Sequence, residues 1–213
     1  MTIVVKLGGT NGSGKTSVAK ALLNMMKDKY ATDSKDVDHN LPAPCKVAYY
    51  TGRLDRKMWS VLGDYRNVCG GMDTISDKLE RLKLVRYVAE KHADVTFFEG
   101  LITGKTYGAF GAMSEEPQHK GRWIYAFMDT PFEVCVERVK ARRYAAARAK
   151  GLPQPPLLDA ERTMRPTYKS VQAVAKRAAV QGHKVVWLPH KLKPEHIAQY
   201  LVNEVEEFAN ACR

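Results

Sequence analysis

The 213-residue chain is long enough to bury a full core and short enough to form one α/β domain. Its 34 Lys and Arg residues outnumber 23 Asp and Glu residues, and the net charge of +11 favours a polyanionic partner, although a basic enzyme without one has a similar composition. The four cysteines form no CxxC pair and no apolar run is long enough to span a membrane, which argues against a disulfide scaffold, a zinc site and a membrane protein. We therefore expect a cytoplasmic protein with no membrane partner.

The first predicted elements are a strand, a glycine-rich loop and a helix. Ile3–Leu7 is apolar apart from Lys6, Gly9–Thr16 matches the phosphate-binding pattern G-x-x-x-x-G-K-[ST], and helical residues follow. Lys15 should reach the β- and γ-phosphates of ATP, and the Thr16 hydroxyl should ligate Mg²⁺. The whole set expected to contact the nucleotide is Gly9, Thr10, Asn11, Gly12, Ser13, Gly14, Lys15, Thr16 and Ser17.

The second strand is predicted at Lys46–Tyr50, after a polar loop at Asp33–Pro44. Cations alternate with aromatic residues beyond it, and arginines suit phosphates while aromatic faces suit stacked bases. The candidate substrate-binding residues here are Arg53, Arg56, Trp59, Tyr65 and Arg66. Core positions for Trp59 and Tyr65 are the alternative.

A helix near Ser76–His92 precedes the third predicted strand, Val95–Phe98, which ends in Glu99 and Gly100. The carboxyl ends of parallel strands face the site in such sheets, so Glu99 is the leading candidate for the general base, and also for a contact with Mg²⁺ or its bound water. A solvated acid at the strand end is the alternative. Lys105 could contact the acceptor. Three other acids are weaker candidates for the base: Asp38, Asp55 and Asp64.

The fourth predicted strand, Trp123–Met128, leads into a helix that Asp129 or Thr130 is expected to cap. Six cations and no acid occur from Arg138 to Lys150, and a Pro-rich stretch follows, which predicts a basic lid over about residues 138–160. The residues expected to neutralise charge during phosphoryl transfer are Arg138, Arg142 and Arg143. A solvated helix face or a polymer-binding patch is the alternative.

The chain ends with a fifth predicted strand, Lys184–Leu188, and an amphipathic helix near Glu195–Asn210. Strands that alternate with helices favour a parallel sheet covered on both faces, a three-layer α/β/α architecture.

The Gly9–Thr16 loop, the Glu99-Gly100 strand end and the Asp129–Glu133 segment together resemble P-loop kinases of the nucleoside-monophosphate and thymidylate kinase class. The resemblance implies a P-loop NTPase fold with five parallel strands in the order 2-3-1-4-5, a closing lid and one kinase domain over residues 1–213. Thymidylate kinases carry Arg-Glu-Pro-Gly-Gly after strand two and Asp-Arg-aromatic after strand three, and this chain has neither run.

The Gly8–Thr16 loop, the Glu-Gly strand end and the basic composition are more similar to phage-encoded 5-hydroxymethyluracil DNA kinases. That resemblance implies Mg²⁺-dependent transfer of the ATP γ-phosphate to the hydroxymethyl group of a modified base in DNA, inside the host cytoplasm. A deoxynucleoside monophosphate kinase acting on free nucleotides is the alternative. A third possibility is a nucleic-acid-binding protein that uses ATP as a switch.

Overall fold

The computed structural model describes residues 2–33, 47–66, 70–75, 77–101, 105–153 and 158–212. The described strands are β1 (Ile3–Gly8), β2 (Lys27–Thr32), β3 (Tyr49–Leu54), β4 (Lys57–Leu62), β5 (Val95–Glu99), β6 (Trp123–Asp129) and β7 (Lys184–Pro189). The described α-helices are α1 (Lys15–Met25), α2 (Lys78–Lys91), α3 (Gly108–Glu115), α4 (Phe132–Ala149), α5 (Leu158–Val180) and α6 (Pro194–Ala211). A short 3₁₀ helix spans Met72–Thr74.

All seven strands form one sheet in the order β2-β3-β4-β5-β1-β6-β7. The pairs from β4 to β7 are parallel, whereas β2, β3 and β4 pair in antiparallel fashion. Numbered among themselves along the chain, the five parallel strands lie in the order 2-3-1-4-5. The predicted count of five strands was therefore too low, because the antiparallel strands β2 and β3 extend the sheet beyond β4.

The position predicted for the second strand was also wrong. Of Lys46–Tyr50, only Tyr49 and Tyr50 belong to a described strand, the antiparallel β3, and the second parallel strand is β4. A two-residue turn at Asp55 and Arg56 joins the two, with Asp55 at a positive φ of 51°. Strand β2 escaped prediction because its sequence, Lys-Asp-Lys-Tyr-Ala-Thr, is almost wholly exposed and lacks the alternation of a half-buried strand.

Helices cover both faces of the sheet. Ile3, Val5 and Leu7 of β1 pack toward α1 and α6 in one apolar core. On the opposite face, Val4 joins a second core that is closed by α2, α3 and the second half of α5. This alternation along β1 follows from the two-residue period of a strand and produces the three layers expected from the sequence.

The predicted lid region is a helical hairpin. Helix α4 continues without a break to Ala149, and α5 begins at Leu158, so most of residues 138–160 are helical; residues 154–157 lie outside the described part of the chain. Phe132, Cys135 and Val139 of α4 pack against Ala160 and Met164 of α5 in a third apolar cluster. We call this pair the α4–α5 hairpin.

Two further expectations concern cysteines and membranes. Cys135 and Cys212 are free thiols, while Cys45 and Cys69 lie outside the described residues. Across the ranges described above, no helix combines the length and apolar character needed to cross a bilayer.

Candidate active site

A cleft of about 540 Å³ opens at the carboxyl ends of β1, β5 and β6. The Asn11–Val18 segment forms one wall, and Asp73, Glu99 and Arg142 line the remainder. Glu99 thus lies at a strand end in the same cleft as the glycine-rich loop, as the rule for parallel strand ends predicts.

The loop conformation requires glycine at its tightest point. Gly12 has a φ of 77°, and a Cβ atom there would lie 2.4 Å from the carbonyl oxygen of Cys135 in α4. Gly14, with a φ of 103°, immediately precedes α1. Because glycine has no side chain, the first backbone N–H groups of α1 receive no side-chain cap at this position and remain suited to an anion.

Thr130 holds the loop from the β6 side. Its hydroxyl is buried and donates a hydrogen bond of 2.9 Å to the backbone carbonyl of Ser13. The expectation that Asp129 or Thr130 caps α4 was wrong: the capping position is Pro131, and no side chain caps the helix. The hydroxyl instead links the end of β6 to the phosphate-binding loop.

Lys15 and Thr16 lie at the base of the cleft. The Lys15 side chain is buried, and its Nζ donates to the Thr10 carbonyl at 3.0 Å. Burial lowers the pKa of Lys15, and the nearby carboxylates of Glu99 and Asp73 oppose that shift. The Thr16 hydroxyl donates to Glu99 Oε1 at 3.1 Å.

Glu99 is only 1% exposed. Burial raises its pKa from 4.5 to about 7, and repulsion from Asp73 acts in the same direction, whereas Lys15 and the Thr16 hydrogen bond act against it. A carboxyl group with this pKa exchanges its proton near neutrality, as a general base must.

Sequence reasoning missed Asp73, the second carboxylate of the cleft. It lies in the 3₁₀ helix after Gly70 and Gly71, and one of its oxygens accepts the backbone N–H of Leu101. A Cβ atom on Gly71 would lie 2.5 Å from Glu99 Oε1, so the glycine permits this approach. The Gly70-Gly71 pair is the one local signal that a close approach occurs here.

The predicted arginines divide into two groups. Arg138 and Arg142 line the cleft, and Arg138 Nη1 donates to the Gly12 carbonyl at 3.3 Å. Arg143 is exposed on α4 and is absent from the cleft lining. On the opposite wall, His190 and Leu192 come from the loop after β7, to which the sequence assigned no specific role.

Most of the predicted substrate-binding residues are not brought to the cleft. Arg53 and Arg56 lie beside the β3–β4 turn, at the opposite edge of the sheet. Trp59 is fully buried in the core, and Tyr65 is 5% exposed with its hydroxyl donating to the Leu62 carbonyl at 3.1 Å. The core alternative therefore describes both aromatic residues better than base stacking does.

The remaining candidates are also accounted for. Arg66 is exposed and forms a 2.6 Å ion pair with Asp64, which holds the pKa of that carboxyl below its usual range. Lys105 is partly exposed after β5, outside the cleft lining, and its backbone N–H donates to the Leu101 carbonyl. Asp55 lies at the far edge of the sheet, and Asp38 lies outside the described residues.

Comparison with known proteins finds no matching protein-family model. The chain is 30% identical over 146 residues to a 5-hmdU DNA kinase of Pseudomonas phage M6, covering 65% of this chain and 71% of that protein. It is 29% identical over 144 residues to a 5-hmdU DNA kinase of Pseudomonas phage PaMx11, with coverages of 67% and 70%. A 5-hmdU DNA kinase of Bacillus phage SP10 is 25% identical over 146 residues, which are 66% of this chain and 21% of that protein.

Proposed function

Because this chain belongs to the 5-hmdU DNA kinase family, we propose that it transfers the γ-phosphate of ATP to the hydroxymethyl group of 5-hydroxymethyluracil in phage DNA. The observation that carries the proposal within the structure is the contact of Thr16 with Glu99 beside buried Lys15, at the end of the glycine-rich loop. Phosphate-binding groups and a candidate base thus share one cleft.

The proposal includes a P-loop NTPase fold, with residues 1–213 forming one kinase domain. The strand–loop–helix arrangement of β1, Gly9–Thr16 and α1 supports it, as does the 2-3-1-4-5 order of the parallel strands. The N-terminus of α1 and the loop amides bind the phosphates, and Lys15 neutralises the β- and γ-phosphates.

The residues of the cleft fit Mg²⁺. Thr16 would supply an oxygen ligand, and Glu99, which accepts the Thr16 hydrogen bond, would orient Mg²⁺ through a bound water; the carboxylate of Asp73 lies on the same cleft. Mg²⁺ usually binds one or two carboxylates together with phosphate oxygens and water, and this cleft offers those groups once a nucleotide is present. When bound, Mg²⁺ supplies charge neutralisation to the phosphates.

Glu99 acts as the general base in this proposal. As the hydroxymethyl oxygen forms its bond to the γ-phosphorus, its proton passes to the Glu99 carboxylate, and the bond from the phosphorus to the ADP oxygen breaks. Arg138 and Arg142 balance the charge that spreads over the transferring group. The target base must leave the duplex stack or be presented on a single strand to reach the cleft.

The test supplies the protein with ATP, Mg²⁺ and DNA that contains 5-hydroxymethyluracil, then digests the DNA and identifies its nucleosides by mass spectrometry. We expect a phosphomethyl nucleoside from modified DNA only, and none from the Lys15→Ala variant. Single-stranded and duplex substrates are compared in parallel. Conversion of free deoxynucleoside monophosphates to diphosphates, with the modified DNA unchanged, would overturn the proposal in favour of a nucleotide kinase.

A further inference from the structure

The positive charge of the chain is concentrated in one segment. Residues 138–193 contain fourteen Lys and Arg residues and two acidic residues, a net charge of +12. The rest of the chain contains twenty cations and twenty-one acids, so it is close to neutral. Since the segment begins within α4 and includes all of α5, the excess lies on the α4–α5 hairpin and the chain that follows it.

Helix α5 aligns four of its five exposed cations on one face; the fifth, Arg177, lies over the ring of Tyr107. Arg162, Arg165, Lys169 and Lys176 are all exposed, and their spacing places them within about 60° around the helix axis. They extend over about 21 Å of helix length at 1.5 Å per residue. We call these four residues the α5 stripe.

The side of α5 opposite the α5 stripe packs against the rest of the protein. Val171, Val174 and Ala178 enter the core on the sheet, while Ala160 and Met164 pack on α4. The α5 stripe therefore faces away from both contacts and toward solvent.

Two acids, Asp159 and Glu161, lie at the start of α5. Glu161 pairs with Arg165 at 2.6 Å, and Arg165 also lies over the ring of Phe132 at 4.5 Å. No Asp or Glu occurs in the sequence between Glu161 and Glu195. The stripe thus presents a strongly cationic surface without aromatic residues among its members, which suits phosphate groups better than stacked bases.

The hairpin connects this surface to the cleft. Helix α4 starts at the carboxyl end of β6, and its Arg138 and Arg142 line the cleft. The first half of α5 packs directly on that part of α4. Cations therefore extend from the cleft across α4 to the outer face of α5.

We propose that the α5 stripe binds the phosphodiester backbone of the substrate DNA and holds the strand so that its modified base reaches the cleft. This inference rests on the proposed function for its substrate, and charge complementarity selects DNA as the occupant. Backbone contacts position a protein on DNA without reading its sequence, so the surface binds modified and unmodified DNA alike.

The test removes three charges of the stripe with Arg162→Gln, Lys169→Gln and Lys176→Gln in one variant. Arg165 is retained because of its contacts with Glu161 and Phe132. The matched control removes three exposed lysines near the amino ends of the parallel strands, with Lys27→Gln, Lys91→Gln and Lys120→Gln.

Binding is measured by fluorescence anisotropy with labelled, unmodified DNA over a series of salt concentrations, without ATP. We expect the stripe variant to bind on the order of 10²-fold more weakly at 0.1 M salt, and the slope of log affinity against log salt to become shallower by about 2 to 3. The single variant Lys169→Gln should reduce the slope by about 0.7 to 0.9. The control should match the wild type, and thermal unfolding verifies that all variants fold.

Wild-type affinity and slope in the stripe variant would overturn the inference, as would an equal loss in the control. The binding measurement requires no phosphoryl transfer, so it is independent of the proposed reaction. If modified DNA is never phosphorylated, the proposed function fails while the binding result still decides the role of this surface.

Discussion

Replacement of Glu99 by glutamine should stabilise the ligand-free protein while it removes activity. Glu99 is 1% exposed, and burial raises its pKa from 4.5 to about 7. The change corresponds to a cost on the order of 3 kcal/mol for keeping the ionised carboxylate in the folded protein, at 1.36 kcal/mol per pKa unit. The glutamine side chain has nearly the same shape, and its amide oxygen can still accept the Thr16 hydroxyl.

The sign of the pH dependence follows from the raised pKa. Between pH 4.5 and 7 the folded protein binds the Glu99 proton more tightly than the unfolded chain does, so this group makes stability fall as pH rises. Glutamine does not titrate, and the variant lacks that decline. The stability gained by Glu99→Gln should therefore be small near pH 4.5 and approach about 3 kcal/mol at pH 8.

Urea unfolding at pH 5 and pH 8, without ATP or Mg²⁺, measures this difference. The control is Glu207→Gln on the exposed face of α6, which should change stability by less than about 0.5 kcal/mol at both pH values. Transfer to modified DNA should fall about 10²- to 10⁴-fold in Glu99→Gln with ATP affinity little changed. The electrostatic reasoning would be refuted if Glu99→Gln were less stable than the wild type at pH 8. It would also be refuted if the difference in unfolding free energy were the same at both pH values. Near-normal turnover would shift the base role to Asp73.

Three other substitutions test the loop and a buried lysine. Gly12→Ala should weaken ATP binding at least about tenfold in calorimetry, because the new Cβ meets the Cys135 carbonyl at a positive φ. Thr130→Val should weaken ATP binding about fivefold by the same method, since it removes the hydrogen bond to the Ser13 carbonyl. Lys6→Met should raise the free energy of unfolding by about 4 kcal/mol at pH 7, because burial lowers the pKa of Lys6 from 10.5 to about 7. That gain should shrink as pH rises toward 10.5, where the unfolded lysine also becomes neutral.

Control substitutions test whether these effects come from the contacts described. Gly151→Ala introduces a side chain at a φ of 64° but into open space, so it should leave ATP affinity unchanged. Thr130→Ser retains the hydroxyl and should bind ATP as the wild type does. Wild-type ATP affinity in Gly12→Ala, or a serine variant as weak as valine, would contradict the role given to the loop contacts. For Lys6→Met, a stability difference that does not vary with pH would contradict the effect of burial on this lysine.

Much of the candidate site follows from local sequence patterns. The glycine-rich loop can be recognised in the sequence because its backbone geometry requires glycine at fixed spacing. Glu99 can be predicted because the carboxyl ends of parallel strands face the site. The similarity to phage 5-hydroxymethyluracil DNA kinases is confirmed by the three relatives, which carry that activity in their names. In each case a short stretch of sequence contains the determining residues.

The remainder depended on contacts that no local pattern encodes. Asp73 reaches the cleft through a short 3₁₀ turn, and its partner Leu101 is 28 residues away along the chain. Trp59 seemed available for stacking because it lies among cations, yet its position on β4, between parallel and antiparallel neighbours, buries it. Arg53 at the end of β3 and Arg56 in the β3–β4 turn lie at the far edge of the sheet, because the antiparallel pairing places this turn there. The charged strand β2, which pairs with β3, has no periodic pattern in its sequence.

The close packing of Gly12 on Cys135, together with the hydrogen bond from Thr130 to Ser13, fastens the base of the α4–α5 hairpin to the phosphate-binding loop. These contacts join the phosphate-binding loop, the end of β6 and the first turn of α4 into one packed unit. Val139 extends that unit, because it packs within the apolar cluster between α4 and α5. A rotation of the hairpin about Pro131 would break these contacts. We therefore predict that any bending of the hairpin over a bound nucleotide occurs beyond Val139, while its base stays fixed to the loop.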